Sequence, residues 1–115
     1  MQKVLEEVFY VGEGGFAFSI KTGIDMTNLA DGEIKGVIKR PNSSVVSRTI
    51  LIAKVTDLVN GVVDFDIEEA DFVEPGIHSV QIFTKDSDAT LARPSHIFSF
   101  EVIGNLVKDV PNLFV

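Results

Sequence analysis

Val63-Asp64-Phe65-Asp66-Ile67 is the stretch that decides the fold, because three apolar residues alternate there with two carboxylates. A β-strand places successive side chains on opposite faces, so this pattern predicts a strand with one face on a core and the other in water. The same period of two recurs in residues 16–20, 34–38 and 96–102. Alternation of this kind is typical of antiparallel sheets.

Other parts of the chain complete this pattern. Residues 46–55 and 77–84 are rich in β-branched side chains and predict two more buried strands. Short clusters of Gly, Pro, Asn, Asp and Ser separate the runs, as turns do. Helical patterns are confined to residues 3–8 and 68–73, each long enough for a turn or two. We therefore predict an all-β fold, an antiparallel β-sandwich of about seven strands.

Length and composition limit the possible functions. The chain has 115 residues, a formal net charge of −7 and no cysteine, which excludes disulfides, cysteine-ligated metals and thiolate catalysis. The acidic balance argues against nucleic-acid binding, and no apolar run is long enough to span a membrane. The two acids at Glu6-Glu7 argue against a secretory signal. We expect one domain over residues 1–115, with the sandwich at about 12–103, a short N-terminal arm and a C-terminal tail.

Motifs for catalysis are weak. His78 and His96 both fall inside predicted strands, where a structural role is expected for each. Gly12-Glu13-Gly14-Gly15 looks like a phosphate loop, but a strand follows it and no lysine is supplied, so the glycines predict a bend. We therefore predict no enzymatic activity and no cofactor.

Charged residues are unevenly distributed along the chain. An acidic cluster could hold calcium or could form a solvated strand face, and the absence of an EF-hand pattern favours the second reading, so no metal is predicted. Its members are Asp64, Asp66, Glu68, Glu69, Asp71 and Glu74. A basic group on one predicted hairpin either faces the acidic cluster of a neighbouring copy or is an ordinary solvated edge. This group consists of Lys35, Lys39, Arg40 and Arg48.

The chain ends are the candidate docking sites for a partner. Both ends carry apolar side chains outside the predicted strands, and these side chains either dock on another protein or fold back on the sandwich. The candidate docking residues are Val4, Leu5, Val8, Phe9, Tyr10, Leu113, Phe114 and Val115.

The corner before the penultimate strand carries a more specific signal. Immunoglobulin-like sandwiches turn into this strand through an acid, a glycine and then a tyrosine that bonds back to the backbone upstream. Here Glu74, Gly76 and His78 keep that spacing, with an imidazole in place of the phenol. An imidazole N–H can donate the same kind of bond. Since the chain has no cysteine pair and no tryptophan, the corner predicts a member of the wider class of immunoglobulin-like sandwiches and not an antibody-type domain.

Four pieces of this sequence resemble the immunoglobulin-like modules of bacteriophage virions, above all the N-terminal domain of phage baseplate upper proteins. They are Met26-Thr27-Asn28-Leu29, Ile38-Lys39-Arg40-Pro41-Asn42-Ser43, Asn60-Gly61-Val62-Val63-Asp64-Phe65 and Glu74-Pro75-Gly76-Ile77-His78. Two features depart from that family: Ser43-Ser44 replaces the usual hairpin glycine, and this chain has no long C-terminal extension of the kind that carries the family's trimerising stalk.

The resemblance implies a non-enzymatic virion structural protein, made in the cytoplasm of the host bacterium. Its implied place is either the tail or baseplate, or the capsid as a decoration or head-fibre attachment. Its implied partners are other virion proteins and copies of itself, with no nucleic acid and no membrane. The alternative is a carbohydrate-binding or cell-surface adhesion module, against which the lack of Trp and the single Tyr10 count.

Overall fold

A computed structural model describes residues 2–85 and 93–105, with the side chains of residues 2–8 outside that description. The fold is all-β, as predicted, with nine strands in the described residues. They are β1 Gln2–Tyr10, β2 Phe16–Lys21, β3 Ile34–Lys39, β4 Val45–Thr49, β5 Val55–Asp57, β6 Val62–Ile67, β7 Gly76–Thr84, β8 Arg93–Pro94 and β9 Ile97–Ile103. Two 3₁₀ turns, Ile52–Lys54 and Glu69–Phe72, lie between strands.

The strands form a sandwich of two sheets. The large sheet has the order β1-β9-β7-β3-β4, with β8 paired to β7, and the small sheet has the order β2-β6-β5. The order of the strands other than β1 and β8 resembles that of immunoglobulin sandwiches, in which B, E and D face G, F, C and C′, but β1 pairs with β9 in the large sheet instead of joining β2. Within the described residues only β1 and β9 pair in parallel; the other pairs are antiparallel.

The N-terminal segment is a strand of the large sheet. Sequence analysis predicted a helical turn in residues 3–8 and a sandwich beginning near residue 12, whereas β1 begins at Gln2 and pairs with β9. The pairing shifts register between Val4 and Val8, which breaks the simple alternation that identifies a strand in sequence. This strand, the two-residue β8 and the division of residues 46–55 into β4 and β5 bring the six predicted runs to nine strands.

Residues 46–55 also differ from the expected single strand. β4 ends at Thr49, the chain makes a 3₁₀ turn, and β5 begins at Val55 in the opposite sheet. The run therefore supplies the crossing from one sheet to the other. A continuous β-branched composition does not mark where such a crossing occurs, because it suits both strands equally.

The core lies between the two sheets. Val63, Phe65 and Ile67 are buried on the inner face of β6, while Asp66 is exposed on the other face, as the alternation predicts. The rings of Phe9, Phe16, Phe18, Phe72 and Phe100 form one aromatic cluster with centroid separations of 4.8–6.1 Å. Without disulfides, this packing holds the two sheets together.

Two glycines are required by close approach. Gly14 lies in the segment that carries the chain from β1 to β2, and a side chain there would collide with the backbone of Glu69. The predicted bend at residues 12–15 is confirmed by this crossing between sheets. Gly36 lies on the inner face of β3, where a Cβ atom would fall inside contact distance of the Phe65 ring. The alternation of β3 therefore includes one position with no side chain.

We expect Gly36→Ala to lower the free energy of unfolding by about 1–3 kcal/mol, because the added methyl group overpacks the core against Phe65. The matched control is Val37→Ala on the opposite face of the same strand, for which we expect a loss below about 1 kcal/mol. Urea denaturation of both variants measures the difference. Equal losses would contradict the close approach of Phe65 to β3.

Candidate docking face of the large sheet

The outer surface of the large sheet is built by strand alternation. In β3, Ile34 and Ile38 point into the core, so Lys35, Val37 and Lys39 point outward. The antiparallel register aligns β3, β7 and β9 and brings their outward side chains together on one face. We call this surface the docking face and define its apolar part as Tyr10, Val37, Val45, Ile77, Phe83, Ile97 and Ile103.

Exposed apolar side chains are concentrated on the docking face. Five of the nine large apolar side chains that are exposed in the described residues lie there: Tyr10, Val45, Ile77, Ile97 and Ile103. Val45 and Ile77 are the most accessible of the five, at 57% and 53%. The outer face of the small sheet instead carries small and charged residues such as Ala17, Ser19 and Asp66. Concentrated exposed apolar side chains mark sites of protein contact, so the two sides of the sandwich differ in what they can bind.

A shallow groove crosses the docking face. It has a volume of about 160 Å³ and is lined by Val37, Val45, Phe83 and Ile97, with Lys39 at its border. Small-molecule sites usually enclose about 300–1,000 Å³. The groove is therefore too small for such a ligand and suits a few side chains from a protein partner.

A larger polar cleft is lined by residues of the small sheet and its turns together with His96, which precedes β9. It has a volume of about 480 Å³ and includes Lys21, Asp57, Asn60 and His96. The Asp57 carboxylate accepts hydrogen bonds from the Asn60 side chain at 2.8 Å and the Asn60 backbone N–H at 3.2 Å. These bonds lower the pKa of Asp57 and commit its oxygens to the turn before β6.

The aromatic residues do not form an exposed platform for a sugar in the described part of the chain. Six phenylalanines are buried in the core, namely Phe9, Phe18, Phe65, Phe72, Phe98 and Phe100. Tyr10 is exposed, but it lies on the docking face away from the polar cleft. The arrangement gives no specific support to carbohydrate binding.

A buried ion cluster lies at the end of the sandwich next to the β3–β4 hairpin. The Asp71 side chain is fully buried and accepts a bidentate pair of bonds from Arg48, at 2.6 Å (Nη1 to Oδ2) and 2.5 Å (Nη2 to Oδ1). Arg40 adds a longer contact of 3.4 Å, and the backbone N–H of Glu68 donates to Asp71 at 2.8 Å. The planar guanidinium of Arg48 also lies 5.8 Å from the centre of the Phe65 ring.

The ion cluster differs from both predictions made for the basic group, and its Asp71 differs from the prediction made for the acidic group. Arg40 and Arg48 neither face a neighbouring copy nor lie on a solvated edge, because they bind Asp71 of their own chain. Asp71 likewise does not belong to a solvated strand face. Sequence reasoning missed the pairing because 23 residues separate Arg48 from Asp71 and only the fold brings them together. Lys35 and Lys39 remain exposed on the docking face.

The ion cluster changes the acidity of Asp71. Burial alone would raise the pKa of this carboxyl, but hydrogen bonds from Arg48, the Glu68 backbone and Arg40, together with the charge of Arg48, hold its pKa below the usual value. The Asp71 hydrogen bonds in turn raise the pKa of Arg48. Both groups are therefore charged at neutral pH and stabilise one another.

His78 occupies the corner as the sequence predicts. The imidazole is fully buried, its Nε2 lies 3.2 Å from the Asp71 carbonyl oxygen, and its Nδ1 lies 3.2 Å from the Gly76 carbonyl oxygen. A carbonyl only accepts, so a neutral ring satisfies one of them with its N–H. The contact to Asp71 is the upstream bond that a tyrosine makes in other immunoglobulin-like sandwiches.

The predicted docking residues fall into three groups. Phe9 is buried in the aromatic cluster and is unavailable to a partner in this fold, whereas Tyr10 is exposed on the docking face. Val4, Leu5 and Val8 belong to β1, and their side chains lie outside the described residues. The C-terminal set, Leu113, Phe114 and Val115, also lies outside them. The apolar outer surface of β3, β4, β7 and β9 was not predicted as a docking site.

The described residues lack the features of a metal site and of a membrane-spanning helix. Among residues 2–85 and 93–105, no group of three or more His, Asp or Glu side chains is placed to hold a metal ion. In the same residues, no helix has the length and apolar character needed to cross a membrane.

No protein-family model matches the chain, and no curated protein matches it significantly.

We expect Asp71→Asn to cost about 3 kcal/mol of stability, since removing the carboxylate leaves two partly buried arginines without their partner. Lys54→Ala provides the comparison, because the Lys54–Asp66 pair at 3.4 Å is exposed and should be worth less than about 1 kcal/mol. Urea denaturation measures both changes. Similar losses for the two variants would contradict the structural role of the buried pair.

The same carboxylate should make stability depend on pH. The folded pKa of Asp71 lies below its unfolded value of about 3.9, so its contribution is complete above about pH 4 and is lost as the pH falls through the folded pKa. Thermal melts between pH 5 and pH 2 should therefore show a smaller decline for Asp71→Asn than for the unmodified chain. Parallel declines would show that Asp71 does not carry this dependence.

Proposed function

We propose that this protein is a non-enzymatic structural module of a bacteriophage virion, which attaches to its partners through the docking face. The observation that carries the proposal is the concentration of exposed apolar side chains on one side of an immunoglobulin-like sandwich. Such a surface is costly to leave in water and is typical of a protein that assembles.

The virion assignment is supported by the motifs that resemble phage modules. Arg40-Pro41-Asn42-Ser43 forms the β3–β4 hairpin, Asn60-Gly61 forms the turn before β6, and Pro75-Gly76 leads into β7. Three of the four motifs thus form turns between strands of the sandwich. These motifs specify turns and strands, so they support a type of module without fixing its place on the particle.

The use of the buried polar groups supports a structural role. Asp71 is bound by Arg48, and His78 lies against backbone carbonyl oxygens. These groups hold the corner between β6 and β7 in place, and neither opens onto the groove of the docking face. These buried polar interactions therefore stabilise the sandwich that carries the docking face.

The proposed mechanism is repeated weak attachment. A rigid sandwich presents the same apolar face in every copy, and a virion presents many equivalent sites. Binding at many sites gives a high overall affinity even when each contact is weak. Other virion proteins and copies of this chain are the proposed partners.

Mass spectrometry of purified virus particles, separated into heads and tails, tests the proposal. We expect the protein in one of the two fractions and expect Ile97→Asp, on the docking face, to reduce its incorporation at least about fivefold. The matched control is Val59→Asp, since Val59 is 65% exposed but lies in the turn between β5 and β6.

Thermal melts should show that both variants remain folded. Absence of the protein from heads and tails alike would overturn the virion assignment. Equal incorporation of the two aspartate variants would overturn the assignment of the docking face.

A further inference from the structure

We infer that the docking face binds a second copy of this chain, face to face, about a twofold axis that runs along β7. The inference follows from the register of the large sheet and does not depend on the virion assignment. It specifies which side chains of the two copies are in contact. It therefore specifies which substitutions should weaken the dimer and which should restore it.

The first argument is the match of apolar side chains. β7 lies at the centre of the face, with β3 on one side and β9 on the other. A twofold axis along β7 lays β3 of one copy over β9 of the other. Val37 pairs with Gln81 across β3 and β7, and Ile97 lies beside Gln81 on the β9 side. Val37 of each copy is therefore placed over the partner's Ile97.

Residues of β7 itself meet their own counterparts in this arrangement. Phe83 is placed over the partner's Phe83, and Ile77 over the partner's Ile77. Both side chains point outward from β7, with Ile77 exposed and Phe83 half-buried. The contact thus joins apolar side chains at the two ends of the central strand, with Ser79 and Gln81 placed over their own counterparts between them.

The second argument is charge complementarity. Lys39 is paired with Ser79, whereas Glu101 is paired with Ile77, which lies two residues before Ser79 in β7. In the twofold arrangement, Lys39 lies over the partner's β9 at an offset of about 7 Å from the partner's Glu101. The long, flexible stem of lysine can span this offset. The symmetry makes two such ion pairs, and among the described residues neither Lys39 nor Glu101 has an ion pair within its own chain.

A twofold axis that runs parallel to the sheet but perpendicular to the strands gives a poorer match between the side chains of the two copies. It would lay β3 of one copy over β3 of the other, which brings Lys35 and Lys39 of both copies together. Like charges in contact across an interface disfavour association. The positions of the lysines and of Glu101 therefore select the axis along β7.

The size of the face sets the expected affinity. Five strands spaced about 4.8 Å apart and about seven residues long cover roughly 20 Å by 20 Å. A projected area of about 400 Å² per copy is smaller than the ~800 Å² that a stable complex usually buries on each partner. We therefore expect a reversible dimer with a dissociation constant on the order of 1–100 μM.

Sedimentation velocity of the full chain over about 1–500 μM tests the inference. We expect Lys39→Glu and Glu101→Lys each to weaken dimerisation at least about tenfold, because each places like charges together. The double variant Lys39→Glu/Glu101→Lys should return to within about threefold of the unmodified chain, because it restores opposite charges.

The matched control is Lys35→Glu. It lies on the same strand and the same face as Lys39 and produces the same net charge, −7 − 2 = −9, but among residues 2–85 and 93–105 the proposed arrangement places no acidic residue opposite it. We expect it to leave dimerisation nearly unchanged. Circular dichroism melts of all variants identify any that fail to fold, and Ile97→Asp then gives an independent test at the apolar contact.

Each contrary result has a definite meaning. A monomer at every concentration overturns the inference, whatever the virion experiment shows. A dimer that Lys39→Glu and Lys35→Glu weaken equally, or that the double variant does not restore, overturns the proposed axis. A monomeric protein that still enters virions, with Ile97→Asp excluded from them, assigns the docking face to another virion protein.

Discussion

The buried Asp71 carboxylate is the constraint on which the rest of the structure depends. A charge without solvent must be matched by an opposite charge and by hydrogen bonds, and Asp71 obtains both from Arg48, Arg40 and the Glu68 backbone. Since Arg48 lies on β4 and Asp71 lies in the 3₁₀ turn before β7, this requirement ties the edge of the large sheet to the corner of the sandwich. The Asp71 carbonyl oxygen, in contact with His78, extends the same connection to β7.

The ion cluster also determines what the surface can offer. Arg40 and Arg48 of the basic hairpin bind Asp71 of their own chain, whereas the lysines of β3 remain exposed on the surface. With Arg48 turned inward, the outer side of β4 presents Val45, Ser47 and Thr49 and carries no charge. The docking face therefore carries apolar and uncharged polar side chains, with Lys35, Lys39 and Glu101 as its charged side chains on β3 and β9. The alternation of β4 thus directs Arg48 inward to Asp71 and Val45 outward to the docking face.

A module of this kind is suited to repetitive assembly. Its interior is held by aromatic packing and one buried ion cluster, so the sandwich can remain rigid while its surface binds. The apolar area on one face is modest, which favours contacts that are individually weak and reversible. Contacts of this strength become useful when a particle presents many equivalent sites, which is the condition of the proposed virion role.

The sequence by itself determined the all-β class, the inner face of β6, the bend at residues 12–15 and the role of His78 at the corner. These features depend on residues within a few positions of one another, where strand alternation and turn chemistry act directly. Only the tertiary structure decided that β1 pairs with β9, that residues 46–55 cross between sheets, that Arg48 binds Asp71 and that Phe9 is buried. Each of these depends on contacts between distant parts of the chain. The docking face belongs to this second group, because alternation shows that a strand has two faces but only the packing of the sheets decides which one is covered.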